Sequence, residues 1–258
     1  MSHPDRVAAV TGASGGIGRG IAVRLAQAGA AVAVSGRSPE GGAETVRVIE
    51  EAGGLAHFTP VDVTSNEQVA AWIADTHQRF GRLDWLVNNA GINGDSARIE
   101  DQPVEEFEQV VITNLFSAFY TVHAAIPIMR AQGGGAIVNV GSAASLQGYA
   151  LLSGYTASKH GMLGLTKSIA LENADIPIRA NLVCPGPVDT PLMQSIEVLV
   201  NPEDPGAARA MFEGTIAMRR YGQISEIADA VAYLLSDGAA FITGTALSVD
   251  GGVMSGVG

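Results

Sequence analysis

Residues 7–18 read Val-Ala-Ala-Val-Thr-Gly-Ala-Ser-Gly-Gly-Ile-Gly, and this stretch decides the fold class. The four apolar residues Val7–Val10 are typical of a short buried strand, and the helical periodicity of Ile17–Ala28 follows closely. In the turn between them, glycines permit positive φ angles and let the backbone approach a pyrophosphate, while the helix N-terminus offers free N–H groups. The stretch therefore predicts a strand, a phosphate-binding turn and a helix in succession.

Short apolar runs alternate with helix-period segments along the rest of the chain. This alternation predicts βαβ units, a parallel sheet and, through right-handed crossovers, helices on both faces. The predicted strands are Val7–Val10, Ala31–Ser35, Ala56–Val61, Trp85–Val87, Ile137–Val140, Ile178–Val183 and Ala246–Val249. The predicted helices are Ile17–Ala28, Glu44–Ala52, Glu67–Phe80, Val104–Arg130, 154–172 and Glu226–Leu235. We expect a single doubly wound, Rossmann-type α/β domain over residues 1–258, with a proline-rich insertion at 189–221.

Composition and charge narrow the classes of partner and compartment. The chain has 258 residues, of which 47% are apolar and 16% charged, so a large core is expected. A net charge of −11 would repel DNA, RNA or an anionic membrane surface, which argues against a nucleic-acid partner. The first six residues lack an apolar signal region, and no uninterrupted apolar run of about 18 residues could span a bilayer. These features favour a cytoplasmic protein without membrane contact.

Cysteine and histidine usage gives no sign of a metal site. Cys184 is the single cysteine, so an internal disulfide is excluded, and a buried structural thiol is the expected role. The five histidines are scattered, and none stands at metal-ligand spacing from another ligand. We therefore predict no bound metal.

Tyr155 and Lys159 lie four residues apart in the run Gly-Tyr-Thr-Ala-Ser-Lys, with Ser142 thirteen residues before the tyrosine. On a helix, positions i and i+4 share one face, so the phenol and the ammonium should project together. A phenol with a pKa near ~10 is a poor acid–base catalyst at neutral pH, and a neighbouring cation would lower that pKa. A tyrosine and a lysine at this spacing on a surface helix do not by themselves indicate an active site. The other motifs in the chain make the pair a candidate for one.

Those motifs resemble the short-chain dehydrogenase/reductase family over nearly the whole chain. The resemblance rests on the glycine pattern TGxxxGxG at 11–18, Asn-Asn-Ala-Gly at 88–91, the four residues Asn114, Ser142, Tyr155 and Lys159, Pro-Gly at 185–186, and Asp-Gly-Gly at 250–252. No single motif is specific, but their combination and order are. The resemblance implies an oxidoreductase that interconverts a ketone and a secondary alcohol with NAD(P).

The resemblance also implies roles for individual residues. Tyr155 would exchange a proton with the substrate oxygen, Lys159 would lower its pKa and hold the nicotinamide ribose, and Ser142 would polarise the carbonyl. Asn114 would take part in a water-bridged proton relay, although an amide inside a helix could equally satisfy backbone groups. The expected cofactor-binding residues are Gly12, Ser14, Gly16, Ile17, Gly18, Arg37, Asp62, Val63, Asn89, Ala90, Gly91, Tyr155, Lys159, Pro185, Gly186, Val188 and Thr190. Asp62 and Thr190 could instead be turn or cap residues.

The end of the second strand favours NADP(H) over NAD(H). A carboxylate there would bond the ribose 2′-hydroxyl of NAD, whereas this chain has Ser35, Gly36 and Arg37. The Arg37 guanidinium suits a 2′-phosphate, which it can contact with two parallel hydrogen bonds. The glycine turn has Ser14 and Gly15 where many NADP-preferring relatives carry another basic residue, so use of NAD(H) stays possible.

The substrate pocket is expected between the four catalytic residues and the 189–221 insertion. The insertion offers an apolar wall, unless its side chains pack against the body of the protein or a neighbouring subunit; its members are Met193, Ile196, Val198, Leu199, Val200, Met211 and Phe212. Tyr149, Leu151 and Leu152, together with Leu146, add apolar surface opposite Met193. An apolar or aromatic small ketone or alcohol is the expected substrate.

Two alternative functions are less well supported by the sequence, and the oligomeric state can also be predicted. The chain also resembles 3-oxoacyl-[acyl-carrier-protein] reductases, but an acidic carrier protein needs a basic docking patch, and the region around Arg130 and 171–175 is not basic. A non-catalytic nucleotide-binding subunit is disfavoured by the complete set of four catalytic residues. Helices 104–130 and 154–172 carry more apolar positions than one sheet face can cover, and relatives pair these helices, so a homotetramer is expected.

Overall fold

The computed structural model describes residues 5–255, apart from the side chain of Leu199. The strands are β1 (Val7–Val10), β2 (Ala31–Gly36), β3 (Leu55–Pro60), β4 (Trp85–Asn88), β5 (Gly135–Val140), β6 (Ile178–Pro185) and β7 (Ala246–Val249). Within residues 5–255 they form one parallel sheet of seven strands in the order β3-β2-β1-β4-β5-β6-β7. The predicted α/β fold is confirmed, with strand ends that move by a few residues.

The order of the strands reverses between β1 and β4, which lie side by side. Val10 is paired with Val34 of β2 on one side and with Val87 of β4 on the other. In open parallel sheets a crevice forms at the carboxyl edge where the strand order reverses, because the chain leaves neighbouring strands toward opposite faces. The first glycine turn and the Asn-Asn-Ala-Gly segment both begin at this edge.

Helices cover both faces of the sheet. They are α1 (Gly16–Gln27), α2 (Pro39–Glu51), α3 (Asn66–Phe80), α4 (Val104–Val111), α5 (Ser117–Gln132), α6 (Ser153–Glu172), α7 (Pro191–Val200), α8 (Pro205–Gly214) and α9 (Ile224–Leu235). Alternate residues of β1 point to opposite faces: Ala8 and Val10 pack with α1 and α9, whereas Val7 and Ala9 pack with α3, α5 and α6. The sheet is therefore buried on both sides, as its uninterrupted apolar strands predict.

Two predicted helices differ from the structure. α2 begins at Pro39 rather than Glu44, because the Ser38 hydroxyl accepts a hydrogen bond from the Gly41 N–H (3.0 Å) and proline suits the first helical position. The helix predicted over Val104–Arg130 contains a π-helical turn, Ile112–Phe116, between α4 and α5. A π turn opens the regular hydrogen-bond pattern and often occurs at a functional site.

The helical stretch Val104–Gln132 meets the length and composition of a membrane span, which the sequence analysis did not expect. Its most apolar 18-residue window has a mean hydropathy of 1.4, and 39% of that window is buried in the protein. Polar residues interrupt this helical stretch, so a search for an uninterrupted apolar run passes over it. Among these, Thr113, Asn114, Ser117 and Thr121 are buried inside the protein.

Arg179 of β6 caps the C-terminus of α9 and is expected to stabilise the fold strongly. Its guanidinium donates hydrogen bonds to the carbonyl oxygens of Leu234 (2.6 Å), Leu235 (3.1 Å), Ser236 (3.0 Å) and Ile242 (3.3 Å). Because charged hydrogen bonds and the helix dipole act together here, Arg179→Met should lower the free energy of unfolding by about 2–4 kcal/mol.

Urea unfolding of the wild type and the variant measures this loss. The control is Arg47→Met, which removes an exposed arginine paired with Glu44 and Glu51 on α2 and should change stability much less, because exposed ion pairs contribute little. Equal effects of the two substitutions would contradict the capping role of Arg179.

Candidate active site

The glycine turn between β1 and α1 has the backbone that the sequence predicts. Gly12 and Gly16 have φ angles of +63° and +52°, in the left-handed region that favours glycine. A Cβ atom at Gly18 would overlap the Gly12 carbonyl oxygen, so α1 can approach the turn closely only with glycine there. No side chain of the described residues caps the start of α1, and its first turn carries no acid. The first N–H groups of α1, beside Ile17, can therefore receive a phosphate.

Thr11 and Asn89 fasten this turn to the end of β4. The Thr11 hydroxyl accepts from the N–H groups of Asn89 (3.0 Å) and Ala90 (3.1 Å). The Asn89 amide in turn donates to the carbonyl oxygens of Thr11 and Gly12, both at 3.1 Å. Asn89 thus positions the glycine turn, and its predicted contact with the adenosine ribose stays a prediction. Thr11 is not among the residues predicted from the sequence, because its hydroxyl matters only once β1 and β4 lie side by side.

Arg37 and Asp62 come together near the glycine turn. Two hydrogen bonds from Thr64, one from its N–H (3.0 Å) and one from its hydroxyl (2.8 Å), are the main cause that lowers the pKa of Asp62. Arg37 is exposed directly after β2, and its charge adds a smaller lowering of the same pKa. Asp62 is therefore an ionised turn residue that is also exposed at the predicted adenine position, whereas Val63 is buried.

The Ser14 region is fixed by a residue that the sequence analysis did not single out. Arg19 donates to the carbonyl oxygens of Ser14 (2.7 Å) and Gly41 (3.1 Å), which joins the glycine turn to α2. The Ser14 hydroxyl donates to the Ser38 carbonyl oxygen (3.3 Å). This packing holds Arg37, which lies between β2 and α2, next to the glycine turn.

The segment after β6 lies against the end of β7. A Cβ atom at Gly186 would come within 2.9 Å of the Asp250 Cα, so Pro185 and Gly186 run close to the Asp-Gly-Gly segment. Val188 is buried, and the Thr190 hydroxyl accepts from the Met193 N–H (3.2 Å) as the N-cap of α7. The cap role that the sequence left open for Thr190 is present, and its contact with nicotinamide stays a prediction.

Tyr155, Lys159 and Ser142 meet at the carboxyl edge of β5. The Lys159 Nζ lies 5.6 Å from the centroid of the Tyr155 ring and donates to the Val140 carbonyl oxygen (2.9 Å). Lys159 is only 4% exposed, and burial lowers its pKa to about 8. Gly91 lies beside it, because a Cβ there would be 3.7 Å from Nζ.

The pKa of Tyr155 is shifted opposite to the direction predicted from sequence. Burial raises it, a hydrogen bond with Ser142 partly opposes that rise, and the nearby Tyr149 adds to it. The prediction that Lys159 lowers this pKa is therefore not met by the protein's own groups. The physical reason is desolvation, which disfavours the charged forms of both the phenol and the amine.

Asn114 lies in the π turn and holds the backbone after β4. It is fully buried, and its amide exchanges two hydrogen bonds with Ile92, accepting from the N–H (2.8 Å) and donating to the carbonyl oxygen (2.9 Å). It also donates to the Ser158 hydroxyl (3.0 Å), between Tyr155 and Lys159 on α6. Asn114 thus satisfies backbone groups and ties the loop after Gly91 to the catalytic helix, whereas its part in a proton relay stays a prediction.

Cys184 is buried close to these groups, as a structural thiol is expected to be. Burial raises the pKa of its thiol, and hydrogen bonds with Ser145 and the backbone of Ser142 oppose the rise. The Ser142 N–H also donates to the Ser145 hydroxyl (3.2 Å). Within residues 5–255, no cluster of three or more His, Cys, Asp or Glu side chains is placed to hold a metal ion.

The 189–221 insertion has polar groups at its centre and an apolar exterior. Its two ends are joined by a bridge between Val188 and Gly222, and it contains α7 and α8. Glu197 is buried beside Tyr221, and the Arg209 guanidinium lies 4.5 Å from the centroid of that ring. The exposed large apolar residues are Leu192, Val198, Val200, Met211 and Met218, while Met193, Ile196 and Phe212 are partly buried. The centre of the insertion therefore combines these polar groups with the buried apolar side chains of Ala208 and Ile216.

The expected substrate residues Tyr149, Leu151 and Leu152 lie in the turn directly before α6. Tyr149 and Leu151 are 37% and 49% exposed. Leu152 and Tyr155 line a narrow crevice whose other walls the sequence analysis missed; its further members include Asn93, Asp95, Gln102, Phe107 and Val110. Three of these are polar, so the crevice is less apolar than predicted. These residues come after the Asn-Asn-Ala-Gly segment at 88–91. Their position behind that motif is the feature of the sequence that could have indicated them.

Substitution of Lys159 is expected to change the pH dependence of stability. A folded-state pKa of about 8, below the ordinary lysine value, means that the buried charge destabilises the fold at neutral pH. As pH rises through about 8 toward 10.5, the folded protein loses this proton before the unfolded chain does, and the destabilisation is released. Lys159→Met should therefore raise the thermal midpoint relative to wild type at pH 7, by an amount that shrinks toward pH 10.

The same variant should have little activity at neutral pH, because it loses the residue expected to hold the nicotinamide ribose. Its residual activity should shift to higher pH, since the Lys159 charge is predicted to favour the ionised phenol once a dinucleotide is bound. Thermal melts between pH 6 and 10, with the exposed Lys167→Met as the control, test the stability effect. A stability difference that does not change with pH would contradict the destabilising buried charge of Lys159. An unchanged pH–activity profile would contradict its predicted effect on the pKa of Tyr155.

Nearly the whole chain is similar in sequence to known proteins. A protein-family model described as enoyl-(acyl carrier protein) reductase matches residues 12–254. Levodione reductase of Leifsonia aquatica is 40% identical over 250 residues, which cover 96% of this chain and 94% of that protein. Cyclohexanol dehydrogenase of Acinetobacter sp. (strain SE19) is 40% identical over 251 residues, 97% of this chain and 96% of that protein.

Solved structures agree equally well. The crystal structure of levodione reductase matches with a TM-score of 0.95 at 38% identity, covering 98% of this chain and 99% of the other. Actinorhodin polyketide ketoreductase with NADPH matches with a TM-score of 0.92 at 39% identity, covering 96% and 97%. NAD⁺-bound xylitol dehydrogenase matches with a TM-score of 0.91 at 34% identity, covering 96% and 99%.

Proposed function

The chain belongs to the short-chain dehydrogenase/reductase family of enzymes, which act on CH–OH and C=O groups with NAD(P), and we propose that it is an NADP(H)-preferring carbonyl reductase or secondary alcohol dehydrogenase. One observation carries the proposal. The half-buried phenol of Tyr155 lies beside the Ser142 hydroxyl and the buried amine of Lys159 at the carboxyl edge of the sheet. This edge is where a dinucleotide binds in such folds.

The dinucleotide supplies or accepts a hydride, and the protein's residues manage the proton. The substrate oxygen would lie between the Ser142 hydroxyl and the Tyr155 phenol, where both can donate to it. Because burial raises the pKa of Tyr155, the phenol carries its proton at neutral pH, which is the form that carbonyl reduction requires. Lys159 would hold the nicotinamide ribose, and Asn114 would keep the loop after β4 and the catalytic helix in register.

The preference for NADP(H) rests on Arg37. The guanidinium is exposed beside the glycine turn, and Ser35 and Gly36 offer no carboxylate for a ribose 2′-hydroxyl. NAD(H) remains a usable cofactor, since Ser14 and Gly15 provide no second positive charge. Structural relatives with NADPH and with NAD⁺ support binding of both dinucleotides in this fold.

The proposed substrate is a small apolar or aromatic ketone or the corresponding alcohol. Leu152, which lies beside Tyr155, supports a partly apolar pocket, with Leu151 and Met193 proposed as further walls, and relatives named for levodione and cyclohexanol support a ring-shaped substrate. The contacts of Tyr149 with such a substrate belong to the same proposal. The alternative, reduction of a 3-oxoacyl group on a carrier protein, is less well supported, because Arg130 is already paired with Asp175 (2.6 Å). A non-catalytic nucleotide-binding role fits poorly with the assembled tyrosine, lysine and serine.

We also propose a cytoplasmic homotetramer. Phe116 and Phe119 are 45% and 48% exposed at the start of α5, next to Tyr120, which leaves an aromatic face for another subunit. A face of this kind suits a closed two-fold interface. Light scattering at micromolar concentration tests the assembly, and a monomer would contradict it; cell fractionation tests the compartment.

A screen of the purified protein tests the proposed function as a whole. NADPH and NADH oxidation would be followed with small cyclic and aromatic ketones, acetoacetyl thioesters, steroids and sugars. The expected result is turnover of free ketones with NADPH preferred. Turnover of thioesters alone would favour the carrier-protein alternative, and binding of NADPH without turnover of any compound would favour a non-catalytic role.

A further inference from the structure

A strained turn stands directly before the catalytic helix. The Leu152 N–H donates to the Tyr149 carbonyl oxygen (3.4 Å), which closes a four-residue turn over 149–152. Leu151, its third residue, has a φ angle of +67°. That position of a type II turn normally takes glycine, because a side chain is strained in the left-handed region. Strain of this kind persists only where the surroundings hold it, and it concentrates at ligand sites.

Two hydrogen bonds hold the turn from either side. The Ala97 N–H, in the loop after β4, donates to the Leu151 carbonyl oxygen (3.1 Å). The Gln147 side-chain amide donates to the Tyr149 hydroxyl oxygen (2.7 Å). The Tyr149 ring is therefore fixed at both its backbone and its hydroxyl, although its side chain is 37% exposed.

The direction of the Gln147 hydrogen bond decides what Tyr149 can offer a ligand. The phenol oxygen accepts from the Gln147 amide, so its own proton is free to be donated elsewhere. Tyr149 is close enough to Tyr155 to raise the pKa of the catalytic phenol. The crevice beside Tyr155 is lined by the polar side chains of Asn93, Asp95 and Gln102. Leu152, the last residue of the turn, also lines this crevice, so a substrate bound beside Tyr155 would lie next to the turn that carries the Tyr149 donor.

We propose that the Tyr149 hydroxyl, positioned by Gln147, donates a hydrogen bond to a second oxygen of the substrate, so that the preferred substrates are small ketones carrying another, non-reacting acceptor oxygen. Diketones, hydroxyketones and alkoxyketones belong to this class. The inference rests on the proposed function, because it concerns the same substrate pocket. Gln147 acts through Tyr149 and is a positioning residue.

A pair of matched ketones tests the proposal. The preference is the kcat/KM for cyclohexane-1,4-dione divided by that for cyclohexanone, measured with NADPH in wild type and variants. The statistical advantage of two carbonyls cancels, because the same pair is used throughout. Tyr149→Phe should lower this preference roughly 2- to 12-fold, the effect of one neutral hydrogen bond, and chiefly through KM for the dione.

Two variants of Gln147 separate positioning from a merely structural role. Gln147→Glu offers a carboxylate that would accept the Tyr149 proton, so the preference should fall as far as in Tyr149→Phe. Gln147→Leu leaves the Tyr149 proton free to be donated but removes the hydrogen bond that fixes the ring. A smaller decrease in the preference is therefore expected. Tyr233→Phe is the matched control, since it removes an exposed hydroxyl on α9 and should leave the preference as in wild type.

The outcomes distinguish this inference from the proposed function. A wild-type preference that Tyr149→Phe does not change, with both ketones reduced, would overturn the inference alone. Equal effects of Gln147→Glu and Gln147→Leu would overturn the positioning role of Gln147. Wild-type protein that binds NADPH but reduces neither these ketones nor any other would overturn the proposed function and the inference with it.

Discussion

Replacing Tyr155 by Phe is expected to lower kcat by about 10²- to 10⁴-fold, the factor that a positioned general acid or base supplies. The substitution keeps the ring and removes the hydroxyl that would exchange a proton with the substrate oxygen. The hydrogen bond from Lys159 to the Val140 carbonyl oxygen (2.9 Å) does not involve that hydroxyl, so the lysine should stay in place. We therefore expect the fold and dinucleotide binding to be retained.

Three measurements check this result together: kcat with the best ketone from the screen, the NADPH dissociation constant by fluorescence titration, and the thermal midpoint. Tyr233→Phe again serves as the control, because its hydroxyl is on the exposed side of α9. Turnover of Tyr155→Phe comparable to wild type would remove Tyr155 from the catalytic assignment. If Tyr155→Phe lost both NADPH binding and turnover, the result would indicate a structural role for Tyr155 instead.

Arg37→Asp is expected to raise the NADPH dissociation constant by roughly 10- to 150-fold, which corresponds to the loss of one charge-assisted bond to a 2′-phosphate. The same change puts a carboxylate near the ribose hydroxyls, so NADH binding should improve. Because Arg37 is exposed, its charge is screened by ions, and the effect should shrink as salt concentration rises.

Titrations of NADPH and NADH at low and high salt test the cofactor preference. The matched control is Arg98→Asp, which makes the same charge change at an arginine whose side chain is 74% exposed in the loop after β4. Wild-type protein that binds NADH as tightly as NADPH would contradict the preference. Arg37 would then be a surface for the adenine ring or a solvated loop residue.

Much of the candidate site could be predicted because its requirements are local. Positive φ at Gly12 and Gly16 restricts those positions to glycine whatever surrounds them, and a spacing of four residues puts Tyr155 and Lys159 on one face of a helix. The insertion was less predictable. Its apolar residues predicted an apolar wall for the substrate, or packing against the body of the protein or a neighbouring subunit, whereas the structure buries Glu197 and exposes Leu192 and Val198.

The sequence by itself determined the seven strands, their parallel pairing and the residues that gather at the carboxyl edge, because apolar periodicity and glycine geometry act over a few neighbouring residues. Only the tertiary structure decided the direction of the Tyr155 pKa shift, the clamp between Thr11 and Asn89, and the π turn around Asn114. These depend on burial and on contacts between residues far apart in the chain, 78 positions in the case of the clamp. A local stretch of sequence does not show these contacts, because desolvation and hydrogen bonding depend on which elements the fold brings side by side.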